Sequence, residues 1–303
     1  MHVAYPQTVY MDDNLLRILT PTLTLLMTFR TNRAFERYWS GSQMWTSLCM
    51  CIRNASRLLW TVVSCGTDAE RDEQLDAQRL LLAVAVSMKW ALRGEDGFEH
   101  PDVIQLLPTN HHLWKLASRP APSSSDPTSP SLRMKRGNVV TVPLDIAYRI
   151  SHYTRRLRHQ NLIHDTEDIP QLNSAISAMI DSITKFESIV NISVPPSYDM
   201  HLKQLLWLYL FFLPLQIVRP MKEMSVLTAC LVSFAFLGLD AIANEIEEPF
   251  GTDTNDLPLD YLTRKLQEDI ESNIEQSLTS HRRESSITMP VPTIHLGVPK
   301  KDI

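Results

Sequence analysis

Three groups of residues in this chain have types and spacings that could do chemistry. The first is an acidic segment running from Glu245 through Glu248 and Asp253 to Asp256. Closely spaced carboxylates and carbonyls are the oxygen ligands a hard cation such as calcium takes. The same residues also suit a capping and turn segment, with Pro249-Phe250-Gly251 making the turn and Asp256 capping a helix entered at Pro258. The second group is Arg30, Arg33 and Arg37, at helical spacing. Such arginines attract anions into a vestibule, or they pair with Glu36 and other acids between helices. The third group is apolar. Leu25 and Phe29 stand one turn apart on a helix face, with Pro21 a further turn back and Thr22 beside it.

Catalytic patterns do not emerge. There is no Gly-rich phosphate loop, no G-x-S-x-G and no His-Glu-x-x-His. The pair His111-His112 lacks neighbouring carboxylates at ligand spacing. Cys49, Cys51, Cys65 and Cys230 lack a C-x-x-C spacing and read as reduced, mostly buried thiols. The chain reads as something other than an enzyme. With a formal net charge of −5 over 303 residues, nothing argues for nucleic acid, while 44% hydrophobic content is ample for a buried core. The first residues lack the basic start and apolar core of a signal peptide.

The elements that must position these groups are helical. Residues 1–13 are short and polar. Residues 14–65 predict one long helix or two abutting ones, uncharged from Ile18 to Phe29 and charged and aromatic from Arg30 to Trp39. Residues 70–93 predict a helix, with Asp68 as its cap. A turn at 94–97 and a short helix at 101–107 follow. Residues 118–137 are Pro- and Ser-rich and read as a disordered insertion. Amphipathic helices are predicted at 143–160, which ends in the basic tail Arg155, Arg156 and Arg158, and at 170–190. Residues 202–218 and 224–239 are the most hydrophobic segments. Pro214 is expected to kink the first, and neither shows the ~18–20 apolar residues of a standard spanning helix. Residues 259–281 predict a charged amphipathic helix, and residues 281–303 a disordered tail.

Several blocks, in order, resemble the bestrophin family of ion channels, including its bacterial, fungal and plant members. They are Phe29-Arg30-Thr31-Asn32 with Ala34-Phe35-Glu36-Arg37-Tyr38-Trp39; Leu92-Arg93-Gly94-Glu95-Asp96; residues 201–209; and 245–251 continuing to Asn255-Asp256-Leu257-Pro258-Leu259-Asp260. The resemblance covers about residues 15–275 and implies one domain of this kind. Within it lie residues 14–117, which hold the pore-lining helix and those after it, and residues 138–280, which hold cytosolic helices, the two hydrophobic segments and the acidic segment. The implied fold is an all-α, multi-pass membrane protein with a cytosolic helical bundle. Family members normally carry a membrane helix ahead of the first block, and residues 1–13 leave no room for it, so that helix is expected to be missing.

The implied activity is an anion channel, chloride above all, built as a homo-pentamer in membrane lipid. A single helix cannot form a ring, so a pore of this kind needs copies around an axis. Rings of apolar side chains gate by dewetting and favour weakly hydrated anions. By resemblance, the neck falls on Pro21, Leu25 and Phe29, with Pro21 in place of the usual bulky aliphatic. A cytosolic aperture falls on Val194. The calcium clasp of animal members carries over to Glu245, Glu248, Asp253 and Asp256, although Thr254 and Asn255 stand where the densest clasps have acids. The alternatives are a non-conducting truncated remnant or partner subunit, and a cation-conducting relative.

Overall fold

The structure, a computed structural model, describes residues 14–108, 141–163, 167–191 and 195–285. The expected insertion at 118–137, His111-His112 and Val194 lie outside the described residues. Every described element is helical, apart from one isolated antiparallel bridge between Val63 and Ile163.

Helix α1 is a single helix, Asn14–Val62, of 49 residues. Pro21 sits within it and does not end it; proline removes one N–H from the ladder. Helix α2 spans Asp68–Leu92. Its cap is Thr67, one residue before the expected Asp68. The Thr67 hydroxyl accepts from Glu70 N at 3.3 Å, and the Glu70 carboxylate accepts from Thr67 N at 3.1 Å. This reciprocal box requires an acid three residues after the cap; Asp68 has Arg71 there. A 3-10 turn, Gly97–Glu99, and the short α3, Pro101–Ile104, follow. Next come α4 (Thr141–His159), α5 (Asp168–Asn191) and α6 (Pro196–Met221). A 3-10 turn at Lys222–Met224 leads to α7 (Ser225–Glu247), and α8 spans Leu259–Ser285.

Helices α6 and α7 are longer than the hydrophobic runs that announced them. Hydropathy marks only the apolar stretch, whereas the backbone ladder continues through polar residues at its ends. Pro214 lies inside α6 without breaking it. Pro196–Val218 and Lys222–Glu247 are long and apolar enough to cross a membrane. Only 6% of the most apolar window of α7 is buried, which is not how the core helix of a water-soluble protein sits.

The chain divides into two compact units. Of the described residues, one comprises 14–40, 195–249 and 253–256; the other comprises 41–108, 141–163, 167–191, 250–252 and 257–285. In the first, α6 packs on α7, and Leu23 and Met27 of α1 join Leu202, Leu206, Tyr209 and Leu213 of α6 in one core. Spacings of three and four put each set on a single helix face. Tyr209 meets Phe236 of α7 edge-on at 5.4 Å. In the second unit, α2 is buried almost all round from Leu80 to Lys89 and packs against α4, α5 and α8. Its buried amides brace α1: Gln74 Nε2 donates to Leu59 O at 2.7 Å and Gln78 Nε2 to Ser56 O at 3.0 Å. Trp45 and Phe250 each meet Phe186 edge-on, at 6.2 and 6.0 Å.

Candidate functional site

The apolar half of α1 has two faces of opposite character. Leu23, Met27, Arg30 and Ala34 are buried, while Pro21, Leu25 and Phe29 are exposed. Leu25 keeps 55% and Phe29 52% of its surface free, so neither is an ordinary core residue of the protomer. Threonines border this exposed strip. Thr22 and Thr28 donate their hydroxyls to the carbonyls of Ile18 and Thr24, at 3.2 and 2.8 Å. With those donors satisfied inside the helix, no Thr22 or Thr28 hydroxyl proton is left seeking a partner.

Arg30 directly follows Phe29 and turns the other way, into the unit. Its side chain is 6% exposed. Nη1 donates to the Asp240 carboxylate and Nη2 to Asn244 Oδ1, both on α7. Asp199, in the first turn of α6, places Oδ1 2.7 Å from Nη2 without the alignment of a hydrogen bond. Asp199 also pairs with Lys203 at 2.9 Å. Two cations thus face two carboxylates, and one guanidinium ties α1 to both hydrophobic helices. A buried charge is tolerated only when paired and hydrogen-bonded in this way. Arg30 therefore takes the second of the roles its spacing allows, pairing with acids of other helices, here Asp199 and Asp240 rather than Glu36. Asp199, Asp240 and Asn244 went unread in the sequence because they lie far from Arg30 along the chain.

The acidic segment closes on itself. Asn255 Nδ2 donates to Glu245 Oε1 at 2.8 Å, and the Asp253 N–H donates to Asp256 Oδ2 at 2.7 Å. The Asp256 N–H returns a bond to Asp253 O at 3.1 Å. The Asp256 carboxylate thus ties the turn that precedes α8. Glu245, Glu248, Asp253 and Asp256 are not drawn into a metal cage: among the described residues, no group of three His, Cys, Asp or Glu side chains is placed to hold an ion.

Residues 2–272 match the sequence family described as Bacterial/Fungal Bestrophin protein. The chain belongs to the bestrophin family. Among curated bestrophin relatives, the voltage-dependent anion channel-forming protein sll1024 of Synechocystis sp. is 33% identical over 253 residues, covering 84% of this chain and 75% of that protein. The protein alr2987 of Nostoc sp., with the same description, is 33% identical over 261 residues, covering 86% and 77%. YneE of Salmonella typhi, again a voltage-dependent anion channel-forming protein, is 26% identical over 266 residues, covering 88% and 78%. The fold is that of solved bestrophins. A crystal structure of a bacterial bestrophin homolog from Klebsiella pneumoniae superposes with a TM-score of 0.70 at 20% identity, covering 88% of this chain and 89% of the other. This family forms ion channels and is not a family of enzymes.

Proposed function

We propose that this bestrophin is an anion channel, passing chloride through a homo-pentameric pore in a lipid membrane, with Pro21, Leu25 and Phe29 lining the neck. The observation that carries this reading is the exposed apolar strip on α1, opposite a face that is buried in the protomer's own core. The relatives named as anion channel-forming proteins support the same ion sign. Repeated around an axis, the strip becomes stacked apolar rings, bordered by Thr22 and Thr28, whose hydroxyl protons are already bonded within the helix. Such rings pass weakly hydrated anions most readily and close by dewetting. The acidic segment has a structural part in this reading, as the turn before α8.

The test is chloride efflux from liposomes reconstituted with the chain, with Phe29→Ala in parallel. Removing the ring's aromatic should widen the neck and raise flux several-fold. Since Phe29 is half-exposed in the protomer, thermal unfolding of that unit should shift little. Folded, inserted wild type without flux, or potassium flux in place of chloride flux, would overturn the assignment.

A further inference from the structure

The basic tail of α4 is not used by the pore reading, and its arginines fall into two kinds. Arg149 pairs with Asp145 at 3.5 Å. Arg156 meets Glu73 at 3.7 Å and lies over the Tyr153 ring. Arg155 and Arg158 have no such partner among the described residues. With Ser151, Thr154 and His159 they stand at helical spacing on one face of α4 and line a cleft of about 580 Å³. Asn173 and Ile169, from the first turns of α5, form the opposite wall, and among the described lining residues Ile169 alone is apolar. Among the described residues no carboxylate lines the cleft, in a chain whose acids outnumber its lysines and arginines 34 to 29.

The end of α4 is built to the same purpose. Asn161 adopts a left-handed conformation, φ 52°. Leu162 N donates to Leu157 O at 3.1 Å and Asn161 N to Arg158 O at 3.3 Å. This is the Schellman closure, and it occupies carbonyls that would otherwise present negative charge at the helix end. Glycine is the usual residue at such a position because it adopts this conformation without strain. Asparagine here instead adds an amide donor to the cleft.

We infer that the cleft between α4 and α5 binds a phosphate-bearing anion. Two guanidinium forks beside amide donors match the several oxygens of a phosphate better than the single centre of a halide. The volume falls within the range of small-molecule sites. Asp168 and Glu167, at the start of α5, do not line the cleft.

The test is independent of conduction. Binding of inorganic pyrophosphate to the full chain in detergent is measured by calorimetry at fixed ionic strength, with glycerol 1-phosphate as a second probe. A Kd below ~1 mM is expected, weakened about tenfold or more in the Arg155→Gln/Arg158→Gln double variant and unchanged within about twofold in Arg156→Gln. Tighter binding of pyrophosphate identifies a soluble polyphosphate ligand, and tighter binding of glycerol 1-phosphate identifies a lipid headgroup; both support phosphate recognition. If the double variant does not fold, Asn173→Ala, which keeps the charge, should still weaken binding. No saturable binding by ~10 mM, or a loss in Arg156→Gln equal to that of the double variant, overturns the inference.

Discussion

Phe29 and Arg30 are adjacent in the chain and opposite in surroundings. One is an apolar side chain left half-exposed; the other is a cation drawn into the core. The energetics of Arg30 follow from its partners. Removing the guanidinium alone leaves the Asp240 carboxylate, only 15% exposed, without its counter-charge, and losing one half of a fully buried pair costs about 3–5 kcal/mol, an upper bound here. Arg30→Ala should therefore lower the thermal unfolding temperature sharply in detergent. Arg30→Lys keeps the charge but loses the fork that reaches Asp240 and Asn244 together, and should fall between the two. Replacing both halves, as Arg30→Met with Asp240→Leu, should recover much of the loss, because an apolar pair carries no desolvation penalty. If Arg30→Ala unfolds like wild type, the network contributes nothing to stability.

At the scale of elements, one carboxylate on α8 ties that helix to α2. Asp260 accepts from Lys89 at 3.0 Å and from Arg93 at 2.6 Å. Burial pulls the Asp260 carboxyl upward, but the hydrogen bonds from Arg93 and Lys89 and their positive charges outweigh it, and the group lies below its ordinary 3.8. A carboxylate depressed in the folded state stabilises above its unfolded pKa and loses that contribution as pH falls through the folded one. Asp260→Asn should thus cost on the order of 1 kcal/mol near neutral pH, since the site is half-exposed and screened. The gap to wild type should close as pH drops below 3.8, read as denaturant midpoints across an acid series. A gap that persists in acid would place the effect in packing. Much of this layer was legible in the sequence, because helices announce themselves by periodicity: the helical elements and the shared face of Leu25 and Phe29 follow from spacing, whereas spacing left residues 14–65 open as one long helix or two abutting ones, and the structure makes them one, Asn14–Val62. The Thr67 cap was legible too, in the acid three residues on, had Asp68 not offered a similar side chain next door. The ties between helices were not legible. Arg30 finds its acceptors 210 and 214 positions away, and no local pattern specifies which helices pack together.

For the whole molecule, the question is which solvent the apolar surface is made for. Trp207 and Phe211 on α6, and Val226, Leu227, Leu231 and Phe234 on α7, are all exposed, Phe234 at 80%. Contiguous apolar surface of this kind does not persist in water; it marks contact with lipid or with another chain. The two surfaces also differ in what they ask of a substitution. The α1 strip, if it forms a ring in a pore as proposed, should tolerate small polar residues and respond with altered flux. The exposed surface of α7, if it faces hydrocarbon, should not accept a charge at all. A carboxylate near the middle of a spanning helix costs about 2.5–3.5 kcal/mol on insertion scales, in addition to the contribution of the lost Phe. Phe234→Asp is therefore expected to cut the membrane-inserted fraction about tenfold or more, measured by carbonate extraction, while Phe234→Leu inserts as wild type. If instead α7 were covered by a neighbouring protomer, Phe234→Asp would insert normally and lower the oligomer mass seen by native mass spectrometry. The two outcomes separate a lipid-facing helix from a subunit interface.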